Sequence, residues 1–398
     1  MSAEAIPVST TSAKTEASAK TSSQGLLCMW HGLTFGRLLR LLAQRPRFGW
    51  AYVPRWLSIF AISLVNSAEN LAETLIYSRK VRNTRIEVPP VFILGHWRSG
   101  TTMLHNLMVL DPEVTYPNLY HCLYPGHFLL TESIVAPLTE KLLPETRPMD
   151  NIKVSWSEPQ EEDIALALDC LISPYMLVAH YDQREKYERF FDTRDMTPRE
   201  LNKWKQSFLT FMKKLALRKN ARIVTKNPGH TLKIPTLLEM FPDARFIYIR
   251  RDPYAVFKST VHLRYTMVAE NTLGPVSMEC SEDDALHFYD KTIRTYEETK
   301  GLIPAGRLHE LKFEDLEVDP MGEMKKIYDA LQLSGWERVE PKLTELLPSL
   351  KSYKKNAFRM DRSTMEKVYS KVKWVFDLYG YSNRMHEAPA TVSGDMKT

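Results

Sequence analysis

The fold class of this chain follows from the stretch Val91-Phe92-Ile93-Leu94-Gly95-His96-Trp97-Arg98-Ser99-Gly100-Thr101-Thr102. Its first four residues form a short apolar run typical of a buried parallel strand. Gly95 and Gly100 have the spacing of a Walker A phosphate loop, and apolar residues follow Thr102 at helical spacing. The order strand, glycine loop, helix predicts that backbone N–H groups converge on an anion at the N-terminus of a helix that starts at Thr101.

The loop departs from the Walker A pattern in the position of its charge. Thr101 stands where that pattern has lysine, and the positive charge lies within the loop as Arg98. A guanidinium is a planar fork suited to clamping one phosphate. This departure disfavours a magnesium-dependent nucleotide hydrolase. Because glycine, serine and threonine also form ordinary capped turns, the loop alone leaves a purely structural role open.

Three further strand-like runs alternate with helical patterns along the chain. We expect these strands at 222–225, 245–249 and 308–313, and helices at 164–172, 201–217, 231–240, 285–299 and 321–331. Strands that alternate with helices predict an α/β fold in which a central parallel sheet is flanked by helices. Together with the glycine loop, the pattern predicts a P-loop-NTPase-like domain.

A second basic element follows the run at 245–249. Arg250 and Arg251 precede Asp252-Pro253, and the proline suits the first turn of a helix. Ser259 comes eight residues after Arg251, about two turns along that helix. The pattern predicts a second anion pocket at the same sheet edge. The alternative is that these arginines only pair with nearby carboxylates.

Taken together, these elements resemble the sulfotransferase family, whose members use 3′-phosphoadenosine-5′-phosphosulfate as a co-substrate. The resemblance spans residues 88 to 381 and rests on Arg98-Ser99-Gly100-Thr101-Thr102, on Arg251 with Ser259, and on Lys312-Phe313-Glu314-Asp315-Leu316. It implies that the loop holds the 5′-phosphosulfate side of the donor and that Arg251 and Ser259 bind its 3′-phosphate. It also implies transfer to a hydroxyl of a carbohydrate, lipid or small-molecule acceptor, with no metal.

Lys226 is the candidate for contact with the leaving group. It follows directly on the expected strand at 222–225, and the resemblance implies a place beside the donor. A solvated lysine at a strand end is the alternative.

Glu161 and Glu162 are the candidate bases. Their segment, Ser157 to Ile164, is predicted to open a helix with Pro159 in its first turn, which places Glu161 on the face of Ile164 and Leu171. An apolar wall would raise the pKa of such a carboxylate towards neutrality, as a general base requires. The alternative is that these acids only complement the helix dipole.

Two histidines and a late basic run are further candidates. His121 and His127 are rival bases, although lone histidines are usually structural. The run at 351–356 either closes over the 3′-phosphate, as the resemblance implies, or is a solvated charge cluster.

The region before the glycine loop differs in composition. From Gly25 to Ala68 it contains five arginines and three tryptophans but no Asp, Glu or Lys. Residues 25–84 are predicted to form amphipathic helices, and no run reaches the ~20 apolar residues of a bilayer span. Two interpretations stand: a helical segment packed on the catalytic domain, or an interfacial anchor on an anionic membrane.

Overall composition bounds the remaining possibilities. The chain has 398 residues, a net charge of +5 and 44% hydrophobic residues, which disfavours a nucleic-acid binder and permits a large core. Four scattered cysteines suggest neither a disulfide framework nor a zinc site, so a cytoplasmic protein is expected. We expect disordered tails at 1–24 and 386–398 and a sulfotransferase domain over 85–385. A P-loop nucleotide kinase and a non-enzymatic membrane-associated scaffold are the alternative functions.

Overall fold

A five-stranded parallel sheet forms the centre of the protein. The structure is a computed structural model that describes residues 28–146, 153–276, 281–352 and 360–387. The strands are β1 (Val91–Gly95), β2 (Val114–Thr115), β3 (Arg222–Lys226), β4 (Arg245–Arg250) and β5 (Leu308–Lys312), in the order β2-β3-β1-β4-β5. The predicted α/β fold with a central parallel sheet is confirmed.

The register of the sheet brings the ends of the strands together. In the central strand β1, Ile93 lies opposite Lys226 of β3 and Gly95 lies opposite Ile249 of β4. The chain leaves β1 towards β2 on one side of the sheet and leaves the neighbouring strand β4 towards β5 on the other side, so the carboxyl ends of β1 and β4 form a topological switch point, where α/β sheets bind ligands. The glycine loop begins at this point.

Helices cover both faces of the sheet. In chain order they are α1 (Phe35–Ala43), α2 (Val53–Asn83), α3 (Thr101–Met108), α4 (Leu119–Leu123), α5 (Phe128–Thr139), α6 (Asp163–Asp169), α7 (Met176–Ala179), α8 (Arg184–Tyr187), α9 (Pro198–Arg218), α10 (Ile234–Met240), α11 (Pro253–Asn271), α12 (Ser281–Thr299), α13 (Phe313–Val318), α14 (Pro320–Ala330), α15 (Trp336–Ser352) and α16 (Arg362–Tyr379). The alternation of side chains along β1 separates two cores. Phe92 faces a core that contains Trp204 of α9, while Ile93 faces another that contains Leu104 of α3.

One predicted helix start is wrong. The segment around Pro159 is extended, because Pro159 forms an isolated β-bridge with Asn118 and the Gln160 N–H donates to the Pro117 carbonyl at 2.9 Å. Helix α6 therefore starts only at Asp163 and ends at Asp169, before Leu171. Glu161 precedes the helix and does not share a helical face with Leu171.

Two other differences concern short elements. The two-residue strand β2 was not expected, since it is too short for a periodic signal. The helix expected over 231–240 is divided into a 3-10 turn, Pro228–Leu232, and α10.

The N-terminal segment packs against the last residue of α11 and the residue that follows it. The Trp30 indole donates to the Asn271 carbonyl at 2.7 Å, and the Arg55 guanidinium donates to the Thr272 carbonyl at 2.7 Å. Within the described residues, no helix has the length and apolarity that crossing a bilayer requires. The expected tail at 1–24, and 388–398 of the tail expected at 386–398, lie outside the described residues.

Candidate active site

The glycine loop has a backbone that only particular residues tolerate. Gly100 has φ +98° immediately before α3, and a Cβ there would lie 2.1 Å from Cδ2 of Phe313. Arg98 has φ +69°, which non-glycine residues seldom adopt. Such strain is concentrated at functional sites. Thr101 and Thr102 begin α3, as predicted, so the unpaired first-turn amides of this helix border the loop.

Two side-chain hydroxyls hold the loop in place. Thr231 Oγ1 donates to the Gly95 carbonyl and accepts from the Gly95 N–H, each at 2.9 Å. Ser99, which is buried, donates to the His96 carbonyl at 2.7 Å. Thr231 could not be identified from the sequence, because its pairing with Gly95 depends on how β1 and β3 meet.

The two predicted anion-binding elements are in direct contact. Arg98 Nε donates to Ser259 Oγ at 2.7 Å, and Arg251 donates to the Arg98 carbonyl at 3.1 Å. The Arg251 guanidinium also lies 4.3 Å from the ring centroid of Phe313. Burial lowers the pKa of Arg251, although Glu314 and Glu317 oppose this effect. The fold therefore joins the loop and the Arg-Asp-Pro corner into one cationic cluster, Arg98, Arg251 and Ser259.

The motif at 312–316 stabilises the backbone next to this cluster through Glu314. Glu314 accepts from the Asp252 N–H at 3.0 Å and from the Tyr381 hydroxyl at 3.1 Å. Arg384 donates to Asp252 at 2.8 Å. Asp252 in turn caps α11 by accepting from the Ala255 N–H at 3.1 Å. The C-terminal segment thus stabilises the corner that carries Arg251.

Glu161 is buried and its carboxylate is paired on both oxygens. Oε1 accepts from Lys226 Nζ at 2.6 Å, and Oε2 accepts from the Tyr175 hydroxyl at 2.8 Å. The prediction that apolar residues surround the Glu161 carboxylate is therefore wrong, because the extended backbone turns this side chain towards the end of β3. Lys226 ends β3 next to β1, so this pair lies close to the start of the glycine loop.

The next two acids, Glu162 and Asp163, also contact buried polar or basic side chains. Glu162 accepts from Asn227 Nδ2 at 3.0 Å and lies 2.9 Å from His230 Nε2. Burial acts to raise the pKa of Glu162, but His230 and Asn227 outweigh it and lower the pKa. Asp163 lies 3.5 Å from Lys233 Nζ, and burial raises its pKa. We call these contacts the buried acid–base ladder, which comprises Glu161–Lys226, Glu162–His230 and Asp163–Lys233.

The ladder could have been found only in part from sequence. Its signal is three consecutive acids opposite basic residues at spacings of four and three, Lys226, His230 and Lys233. Nothing in the sequence states that the two segments meet.

The rival histidines are engaged elsewhere. His121 lies 3.0 Å from Glu132, and burial lowers the pKa of His121. His127 lies 2.9 Å from the Thr131 hydroxyl, and burial lowers its pKa to about 4. The basic run at 351–356 lies outside the residues whose side chains are described.

Comparison with known proteins identifies the family. The model of a sulfotransferase family matches residues 89–338. The chain is also 36% identical over 364 residues to omega-hydroxy-beta-dihydromenaquinone-9 sulfotransferase Stf3 of Mycobacterium tuberculosis, covering 90% of this chain and 92% of the relative. The chain belongs to the sulfotransferase family. The Stf3 protein of Mycobacterium bovis matches this sulfotransferase to the same extent.

Solved structures agree on the fold. Sulfotransferase STF9 from Mycobacterium avium superposes with a TM-score of 0.66 at 17% identity, covering 89% of this sulfotransferase and 92% of STF9. Sulfotransferase STF1 from Mycobacterium tuberculosis superposes with a TM-score of 0.57 at 16% identity, covering 84% of this chain and 90% of STF1. The chain is thus a sulfuryl-transferring enzyme, as the resemblance implied, and the kinase and scaffold alternatives are set aside.

Proposed function

We propose that this sulfotransferase uses 3′-phosphoadenosine-5′-phosphosulfate as its donor. In this proposal residues 98–102 bind the 5′-phosphosulfate, while Arg251 and Ser259 bind the 3′-phosphate. The observation that carries it is the contact between Arg98 and Ser259 at 2.7 Å, which unites a loop at a helix N-terminus with a second cationic element. A doubly phosphorylated adenosine is the ligand that requires both elements at one sheet edge.

The chemistry needs a base, a group that stabilises the leaving oxygen, and alignment of the reacting atoms. The acceptor oxygen attacks sulfur, its proton passes to the base, and the S–O bond to the donor phosphate breaks. We assign the base to Glu161, whose carboxylate contacts Lys226 at the end of β3, the strand that pairs with β1. Glu162, the other candidate, is fully buried, so we assign it to positioning.

Lys226 is proposed to stabilise the negative charge that develops on the leaving phosphate oxygen. Its ammonium group contacts Glu161 at 2.6 Å, so two segments that are distant in sequence place both charges that the reaction needs side by side. A strand-end lysine is held more rigidly than one on a loop, which favours transition-state stabilisation.

For the acceptor we propose the hydroxyl of a long apolar lipid. The relatives named Stf3 are sulfotransferases of omega-hydroxy-beta-dihydromenaquinone-9, and the match extends over nine-tenths of both chains. We extend this class of acceptor to the present chain as a proposal and place the enzyme at the cytoplasmic side of a membrane.

Calorimetric titration with 3′-phosphoadenosine-5′-phosphate tests the donor assignment. Arg251→Ala is expected to weaken binding by about 1.5–3 kcal/mol, the range for a lost charge-assisted hydrogen bond. The matched control is Arg362→Ala, which removes an exposed arginine paired with Glu366 and should leave binding unchanged. Equal affinity of Arg251→Ala and wild type, or tighter binding of ATP with magnesium, would refute the proposed donor.

A further inference from the structure

Helix α2 presents its apolar side to solvent and its polar side to the protein. Leu57, Phe60, Leu64, Leu71 and Leu75 are all exposed, and Leu75 retains 76% of its accessible surface. Their spacing of three, four or seven residues places them in one stripe along the helix. Ala61 and Ala68 are exposed in the same stripe, and Val65 and Ile76 lie beside it. We call this surface the apolar face.

The opposite side of α2 is polar and tied to the rest of the molecule. Arg55, Asn66 and Glu73 are buried there. Asn66 donates to the carbonyls of His31 and Leu33 at 2.7 and 3.0 Å, and Glu73 accepts from the Leu130 N–H at 3.1 Å. Turning the helix to bury the apolar face would leave these groups unpaired or remove them from their partners. The outward orientation is therefore built into the fold.

A contiguous exposed apolar surface of this length usually marks a binding site. The stripe from Leu57 to Leu75 spans about 27 Å at a rise of 1.5 Å per residue. Adjoining helix α5 adds exposed Ile134 and Leu138. Soluble surfaces that lack a partner do not usually keep so many leucines exposed, so the face requires an occupant.

Charge identifies the occupant. Exposed basic side chains lie before the stripe, at Arg40 and Arg45, and after it, at Arg79 and Arg82. The two acids of α2, Glu69 and Glu73, are instead directed to partners, His127 and Lys214. Because both ends of the face are positive, pairing with a second copy in either direction would bring like charges together. Anionic lipid head groups would neutralise both ends.

An exposed aromatic residue points to the same occupant. Trp50 lies just before α2, and 85% of its surface is exposed. Among the ring pairs of the described residues, Trp50 contacts only Phe48, edge-on, with ring centroids 5.5 Å apart. Tryptophan prefers the interface between apolar chains and head groups. A helix with an apolar stripe, flanking arginines and an interfacial tryptophan has the features of one that lies in the plane of a membrane surface.

We propose that the apolar face of α2 docks this enzyme onto an anionic lipid bilayer, with the helix axis parallel to the membrane. The inference depends on α2 and the exposed residues around it and does not require the proposed donor or acceptor. If the acceptor is a lipid, docking also keeps the enzyme where its substrate is concentrated.

Flotation of the full-length protein with vesicles tests the docking surface. Vesicles of phosphatidylcholine mixed with phosphatidylglycerol should bind the wild type, with weaker binding at high salt. The triple variant Leu57→Ser, Leu64→Ser, Leu71→Ser should reduce partitioning on the order of a hundredfold, because three leucines no longer enter the acyl region. The matched control Leu302→Ser, Val318→Ser, Leu378→Ser removes three equally exposed apolar residues elsewhere and should bind like wild type.

A second pair of variants isolates the charge. Arg79→Gln with Arg82→Gln should weaken binding to the anionic vesicles by about fivefold per residue and leave binding to pure phosphatidylcholine unchanged. Circular dichroism of every variant establishes that it is folded.

Two results would overturn the proposal. One is vesicle binding by the leucine triple variant equal to that of wild type. The other is no vesicle binding by wild type, with a dimeric mass in solution that the triple variant converts to a monomer, which would assign the face to a second copy. Donor titration is a separate measurement, so failure of the donor assignment and failure of membrane docking are distinguishable.

Discussion

The end of β3 and helix α2 distribute polarity in opposite ways. At the end of β3, three acids and three basic residues are withdrawn from water in the buried acid–base ladder, while on α2 a row of leucines faces water. Both arrangements are unfavourable on their own, since buried charges lose hydration and exposed leucines order water. Each arrangement is held by its surroundings: the ladder by pairing between its members, and the apolar face by polar anchors on the reverse side of the helix.

Replacement of Glu161 and of Glu162 separates a catalytic role from a structural role within the ladder. Glu161→Gln should lower kcat by about 10²–10⁴, because the base is lost, while affinity for 3′-phosphoadenosine-5′-phosphate stays within about twofold. Glu162→Gln makes the same chemical change one residue away and should reduce stability more than kcat. Steady-state kinetics with calorimetry check both. An unaltered kcat in Glu161→Gln would leave all three ladder acids with a structural role.

Truncation of the central pair tests how strongly the ladder holds the fold. Glu162→Ala should lower the free energy of unfolding by about 3–5 kcal/mol, because His230 and Asn227 lose their buried partner. Glu366→Ala removes an exposed acid from its pair with Arg362 and should change stability by less than about 1 kcal/mol. Urea titrations measure both values. Similar losses in the two variants would contradict the contrast between buried and exposed charge.

A buried histidine predicts how stability responds to acid. His180 stacks on Tyr187 with ring centroids 4.4 Å apart, and burial lowers the pKa of His180 to about 4. The unfolded chain binds a proton there below about pH 6.5, whereas the folded chain does so only near pH 4. The stability that neutral His180 gives the folded protein is therefore fully present above pH 6.5, and it is lost as the pH falls towards 4.

His180→Phe keeps the stacking and removes the titrating group. Between pH 7.5 and 4.5 the variant should lose about 2–3 kcal/mol less stability than wild type. Urea titrations at both pH values give the difference. His386→Phe, at an exposed position, serves as the control. If His180→Phe and wild type lose the same unfolding free energy between pH 7.5 and 4.5, His180 is not protected from protonation in the folded protein.

The smallest expected effect lies on the apolar face itself. Leu71→Ala should change the free energy of unfolding by less than about 0.5 kcal/mol, because the side chain is already exposed to water. Ile59→Ala, on the buried side of the same helix, should lower it by about 2–5 kcal/mol. Thermal and urea unfolding distinguish the two. A large loss in Leu71→Ala would mean that the outward row is packed in the folded protein.

Much of the fold was predictable because its signals are local. The run Val91–Leu94, the glycine spacing and the Asp252-Pro253 helix start each act within a few residues, and the structure has a strand, a loop and a helix at those places. The start of α6 was not predictable in the same way. Pro159 suits a first helical turn, but a bridge to Asn118, more than 40 residues earlier, keeps the segment extended.

The residues of the candidate site also fall into those with a local sequence signal and those without one. Arg98, Arg251 and Lys226 were identifiable as candidates from their positions after strands, since parallel strands carry their ligand-binding loops at one edge. Ser259 was identifiable from its place about two turns along the helix that follows Arg251. The partners of Glu161 and the clamp of Thr231 on Gly95 were not, because each joins segments far apart in sequence. Local pattern names the side chains; it does not state which ones meet.

For α2 the sequence determined that an amphipathic helix forms and that its flanks are basic, since periodicity and charge are properties of the chain itself. Only the tertiary structure decided which side of that helix faces water. The choice follows from the polar partners Arg55, Asn66 and Glu73, whose hydrogen bonds exist only after distant segments have packed together.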